Sequence, residues 1–212
     1  MDDLAAMVGR DEQIMWRGRP DFKCFIFESI FNPLLPFALL WGIIDFGVIG
    51  LSMGTGGAPL MFIVPFMLIH LMPVWIYLGG VLFSFRKYRN TAYIVTDKGI
   101  YASGGLFAKS FEMKPFTDLS HITVHRGIFD QMLGVGDVVS VCSHLSYTAR
   151  GSHNHTGEGI KICDIPDYQR VFQMIKDLQT DVFSDTMYPN DLRPGTNHGY
   201  RTKYSGNDRN WQ

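Results

Sequence analysis

The chain has 212 residues, 46% hydrophobic and 18% charged, with a formal net charge of −1 at pH 7, a pI near 6.6 and a mean hydropathy of +0.03. That balance lacks the basic stripe of a nucleic-acid binder, so no nucleic acid is expected as a partner. Three cysteines (Cys24, Cys142 and Cys163) are too sparse and too odd in number for a disulfide framework, and fit reduced thiols in a cytosolic compartment.

Residues 1–31 read as a cytoplasmic N-terminal segment. No signal peptide is expected, because Asp2 and Asp3 stand where a cationic leader would begin. Trp16, Arg17 and Arg19, followed by Lys23, precede the first apolar region. They read as membrane-interface anchors, with the indole at headgroup level and the cations on the cytoplasmic side.

Residues 32–85 predict a transmembrane helical hairpin. The first span falls within 32–53, entered at Pro33 and Pro36, with Gly42, Gly47 and Gly50 as small surfaces for helix approach. The uncharged, glycine-rich run 52–58 suits the outer tip. Residues 59–85 then run for about 27 residues without Asp, Glu, Lys or Arg, where a bilayer core needs roughly 20. Pro65 and Pro73 are candidate kink sites. Arg86, Lys87 and Arg89 follow at once, a stop signal and an orientation signal together. A buried helix in a soluble protein is the alternative, but a chain of this size has too small a core to hide it. The expectation is a multi-pass protein of the cell inner or plasma membrane, both termini cytoplasmic.

Two ionisable residues fall inside these spans, Asp45 and His70. Their counts from the outer turn place them at similar depth, so Asp45 is expected to form an intramembrane polar pair with His70, or else to pair with a polar group on a partner subunit. Its plain role is to fix the two helices against each other. Its sharper role is an ion or proton relay.

After Arg89 the pattern changes to short β-branched and aromatic runs, and 86–184 predicts a cytoplasmic domain. Strands are expected at 91–96, 100–103, 109–114, 119–125, 137–143 and 160–165, with 151–159 as a hairpin loop. The segment 127–136 reads as a loop carrying an apolar plug, and its Phe129, Met132 and Leu133 are the candidate interaction surface. Pro166 opens a helix in which Tyr168, Val171, Phe172, Ile175, Leu178 and Val182 recur at spacings of three and four. Residues 185–212 are rich in Asn, Gly, Asp and Arg and predict a flexible tail.

The order of these pieces resembles the membrane-anchored bacterial pleckstrin-homology (PH) domain proteins. The resemblance is carried by Tyr93-Ile94-Val95-Thr96-Asp97-Lys98-Gly99, Gly104-Gly105, Ile122-Thr123-Val124, Leu133-Gly134-Val135-Gly136-Asp137-Val138 and Asp164-Ile165-Pro166-Asp167. Glu12, Trp16, Gly18 and Pro20 resemble the lead-in of that family. The resemblance covers roughly residues 10–183. It implies an α+β membrane protein: a two-helix transmembrane hairpin, then a PH-like antiparallel β-barrel or sandwich of about seven strands closed by a C-terminal helix. It further implies no catalytic residues and a tendency to self-associate.

No nucleophile motif, phosphate loop or paired-carboxylate pattern stands out, so no enzyme activity and no cofactor are expected. Cys142, His144, His153, His155 and Cys163 are the best metal candidates, but they lack tight ligand spacing, and no metal site is expected. Lys98, Lys109 and Arg126 are isolated, so no specific lipid headgroup is expected either. The sequence therefore reads as a non-enzymatic, membrane-anchored interaction or scaffold protein. Its expected partners are the lipid bilayer and either further copies of itself or another membrane protein. The alternative is a subunit of a membrane transport or relay complex using Asp45 and His70.

Overall fold

The structure, a computed structural model, describes residues 2–54, 60–142 and 159–187. In chain order the elements are α1 (Asp2–Ala5), β1 (Ile14–Gly18), α2 (Phe22–Ile30), α3 (Leu34–Gly54), α4 (Leu60–His70), α5 (Met72–Asn90), β2 (Ala92–Thr96), β3 (Gly99–Gly104) and β4 (Ser110–Pro115). A 3-10 turn (Phe116–Asp118) leads into β5 (Leu119–His125), α6 (Ile128–Leu133), β6 (Gly136–Cys142), β7 (Lys161–Ile165) and α7 (Tyr168–Met187). The chain forms two compact units, Met1–Cys24 with Asn90–Gln212, and Phe25–Arg89.

The first unit holds two antiparallel sheets, β1-β2-β3-β4 and β5-β6-β7. Six of the seven strands lie where sequence periodicity places them. The seventh, β1, comes from the N-terminal segment and pairs with β2 from Ile14↔Thr96 to Gly18↔Tyr93. Every residue of β2 is buried, because both faces of that strand are covered. Tyr93 and Val95 face one core with Phe116, Val138, Ile162, Val171, Ile175 and Leu178. Ala92 and Ile94 face the other, packed with Leu4 of α1, Tyr101 and Ile14.

Residues 1–31 are therefore not a separate lead-in. Trp16 stands in β1, its ring packed against the core and its Nε1 donating to Asp167 Oδ2 at 2.8 Å. A Cβ at Gly18 would overlap that indole, which accounts for the glycine two residues on. The place expected for Trp16 at a membrane interface is taken by this sheet position instead.

α7 fits the expected stripe: Val171, Met174, Ile175, Leu178 and Val182 are buried at three- and four-residue spacing. It begins at Tyr168 rather than Pro166 and runs to Met187, beyond the expected boundary at 184. The glycine-punctuated loop at 151–158, and the tail from 188 onward, lie outside the described residues.

The second unit is helical. Asn32 caps α3, its Oδ1 accepting the Leu34 N–H at 2.8 Å, with Pro33 and Pro36 in the first turn where a missing N–H costs little. The run expected as a single span is broken and bends by 56° at the break. The break falls at Leu71, between α4 and α5, just ahead of Pro73. Pro73 has no N–H to bond the Ile69 carbonyl, so the ladder is interrupted, and proline suits a helix's first turn, so the chain restarts at Met72; Pro65 is accommodated inside α4. α5 continues through Arg86, Lys87 and Arg89 to Asn90.

Candidate functional site

Asp45 lies in the middle of α3, and His70 is the last residue of α4. His70 Nδ1 sits 2.8 Å from Asp45 Oδ1 and 3.0 Å from Oδ2. Asp45 is 3% exposed. Two aromatic residues hold the imidazole. Phe66, one turn before His70, stacks on it at 4.8 Å, and Trp41, one turn before Asp45, stacks at 5.2 Å. The Trp41 indole also donates to the His70 carbonyl at 2.8 Å. That carbonyl ends a broken helix and has lost its ladder partner, so the indole supplies a bond the backbone no longer makes. Sequence reasoning found Asp45 and His70 but missed Trp41 and Phe66; the signal was their spacing of four residues from the two ionisable groups.

Of the three glycines expected at a helix contact, only Gly42 approaches a neighbour: a methyl group placed on its Cα would lie 3.7 Å from Val74. Gly47 and Gly50 meet nothing within 4 Å among the described residues. The apolar side chains of this unit are open: Leu39 is 56% exposed, Ile43 69%, Phe46 68% and Leu51 72%. Among the described residues one helix, over Leu34–Leu51, is long and apolar enough to cross a membrane, with 11% of that stretch buried; the bent pair α4–α5 makes a second if counted as one span. Arg86, Lys87 and Arg89 sit at the C-terminal end of that pair. Arg17 belongs to β1, and Arg19 follows it.

The segment holding Phe129, Met132 and Leu133 is not a loop but the short helix α6. Glycines at both ends conceal it in the sequence. Asp130 Oδ2 accepts the Gly127 N–H at 2.7 Å, and Gly134 closes the helix in the left-handed region at φ 73°. Met132 (75% exposed) and Ile128 (77%) share one face at a spacing of four; Phe129 and Leu133 are half-buried. The exposed apolar pair is thus Ile128 and Met132.

His125, Asp130 and Asp137 bring ligand atoms within 4.8 Å of one another. Both carboxylates are already engaged. Asp130 Oδ1 accepts from the Cys24 thiol at 3.1 Å, Asp137 Oδ1 accepts the Asp164 N–H at 2.8 Å, and Asp137 Oδ2 pairs with Lys161 at 2.7 Å. Their work is to anchor α6, β6 and β7. Of the metal candidates read from sequence, His144, His153 and His155 lie outside the described residues. Cys163 lies beside Tyr93, whose hydroxyl accepts the Cys163 N–H at 3.3 Å. Burial pushes the Cys163 thiol up to about 11 and raises Tyr93 as well, so both stay protonated at neutral pH.

An open cleft of about 370 Å³ lies between the 3-10 turn, the start of β5 and the end of α7. Phe116, Leu119 and Phe183 give it an apolar wall, and the Gln179 amide donates to the Leu119 carbonyl.

A family model described as Bacterial PH domain matches residues 42–179 of the chain. No curated protein and no solved structure matches it.

Proposed function

The chain belongs to the bacterial PH domain family, and on that premise we propose that it is a membrane-anchored, non-enzymatic scaffold whose PH-like domain assembles with further copies of the chain. The observation that carries the membrane part is the open apolar surface of α3. A helix with Ile43, Phe46 and Leu51 each more than two-thirds exposed needs an apolar solvent, and a bilayer is the solvent of matching thickness. The two-helix hairpin then consists of α3 and the bent pair α4–α5, with Arg86, Lys87 and Arg89 on the cytoplasmic side and both termini cytoplasmic.

Within such a hairpin, Asp45 and His70 satisfy each other where water is absent, and their stacked aromatic neighbours fix one rotamer of the imidazole. This favours a helix-locking role. The same contact also supports the second reading, a relay subunit, which needs further helices from a larger assembly to enclose a path.

The test is the mass and composition of the complex gently extracted from native membranes. Several copies of this chain alone support the scaffold reading. A stable second protein makes this chain its anchor. A protein released by alkaline washing, without detergent, overturns the membrane anchor.

A further inference from the structure

Among the described residues the two sheets leave four edge strands, and three of them are guarded against pairing. β1 carries Arg17, β7 carries Lys161 and Asp164, and β4 carries Glu112, Lys114 and Pro115. Charge and proline on an edge are the usual devices that prevent strand addition. β5, Leu-Ser-His-Ile-Thr-Val-His, has none of these residues. Among the described residues it pairs with β6 alone. A bulge at Ser120 interrupts the ladder, which then runs regularly from His121 to His125. Four of those five residues are exposed.

We propose that the edge of β5 is a self-association strand, pairing antiparallel with β5 of a second copy about a two-fold axis at Thr123. This deepens the scaffold reading above and rests on it. Three features support a second copy as the occupant. The stretch is self-complementary: Thr123 opposes the partner's Thr123, Ile122 opposes the partner's Val124, and His121 opposes the partner's His125. β-branched and hydroxyl pairs of this kind favour sheet extension, and the pairing juxtaposes no Lys, Arg, Asp or Glu. The antiparallel arrangement also carries the far end of the partner's β5, and the α6 that starts three residues after it, to the near end of β5. There the cleft walled by Phe116, Leu119 and Phe183 meets the partner's exposed Ile128 and Met132. One operation thus covers the unguarded edge, the apolar cleft and the apolar helix face, and by symmetry does so twice. Copies held in one membrane raise the effective concentration for such pairing.

The experiment uses the full chain in membranes. Thr123→Cys is oxidised mildly beside Glu112→Cys, an exposed control on the guarded edge β4, and the mass of gently extracted complexes is measured for the unaltered chain and for Thr123→Lys. Directly opposed Cβ atoms lie about 5 Å apart, so the expected result is a cross-linked dimer roughly tenfold above the control. Thr123→Lys is expected to shift the complex toward single copies. Cross-linking no better than the control, with the complex still multimeric, overturns the β5 contact and leaves the scaffold reading standing. A single-copy mass for the unaltered chain overturns both. Release of a different protein by Thr123→Lys overturns the second copy as occupant.

Discussion

Trp16 and Asp167 are 151 residues apart and joined by a 2.8 Å hydrogen bond from the indole N–H to the carboxylate. The bond ties the first strand to the start of the last helix, where the Asp167 carbonyl accepts the first helical bond from Val171 at 3.0 Å. A hydrogen bond to a charged group contributes about 1.5–3 kcal/mol. Trp16→Phe keeps most of the ring and loses the donor. It should lower the unfolding free energy of the detergent-solubilised chain by roughly 2 kcal/mol, read from denaturant titration. A midpoint equal to that of the unaltered chain would show the contact to be incidental.

The polar pair in the helical unit separates two roles by one substitution. Asp45→Asn keeps an acceptor for the His70 ring but carries no charge. If the pair locks the helices, Asp45→Asn should be extracted in the same yield and at the same mass as the unaltered chain, while Asp45→Leu, which strands the imidazole, should lose yield severalfold. Higher yield from Asp45→Leu would remove the locking role.

The Cys163 thiol offers a pH test. Its folded value of about 11 lies above the ordinary thiol value of 9.0, and Tyr93 is shifted the same way. Between those values the unfolded chain releases protons that the folded chain keeps. The stability tied to the thiol is therefore complete below pH 9 and is lost as pH rises toward 11, and that tied to Tyr93 begins to fall only above pH 10. Thermal melts from pH 7 to 11 should fall across that window, and less steeply in Cys163→Ala. Alkylation of Cys163 near neutral pH should be slower than that of a free thiol.

Burial divides the apolar residues of the PH-like domain into two groups with opposite expectations. Ile175 is fully buried under both sheets, and Ile175→Ala should cost about 2–5 kcal/mol. Met132 is 75% exposed, and Met132→Gln should alter stability by less than about 0.5 kcal/mol while weakening assembly. Melting and sedimentation of the same two variants read both quantities.

Much of the domain was legible because its strands have sharp edges in the sequence. The hairpin Tyr93–Tyr101 announces itself through Asp97-Lys98-Gly99, and the fold uses the preceding Thr96 hydroxyl to accept both the Lys98 and Gly99 N–H groups. α7 shows its stripe without ambiguity. β1 did not show, because Trp16-Arg17-Gly18-Arg19-Pro20 carries no alternation and its partner lies about 75 residues away, beyond any local signal. The interfacial reading of Trp16 followed from the apolar region after it, and tertiary pairing overrode it. α6 was hidden by length, since six residues between glycines give no period. The polar pair follows from counting residues; the aromatic clamp lies four residues before each member of the pair, a spacing that carries meaning only once the pair itself is recognised.

The separation of β1 from β2 sets an order of events during synthesis. β1 leaves the ribosome before any of the helical unit exists, yet its sheet partner is translated only after that unit is complete. The strand must wait, unpaired, through the making of α2 to α5. A chain that stalls before Ala92 cannot close its first sheet, because the partner of β1 has not yet been made.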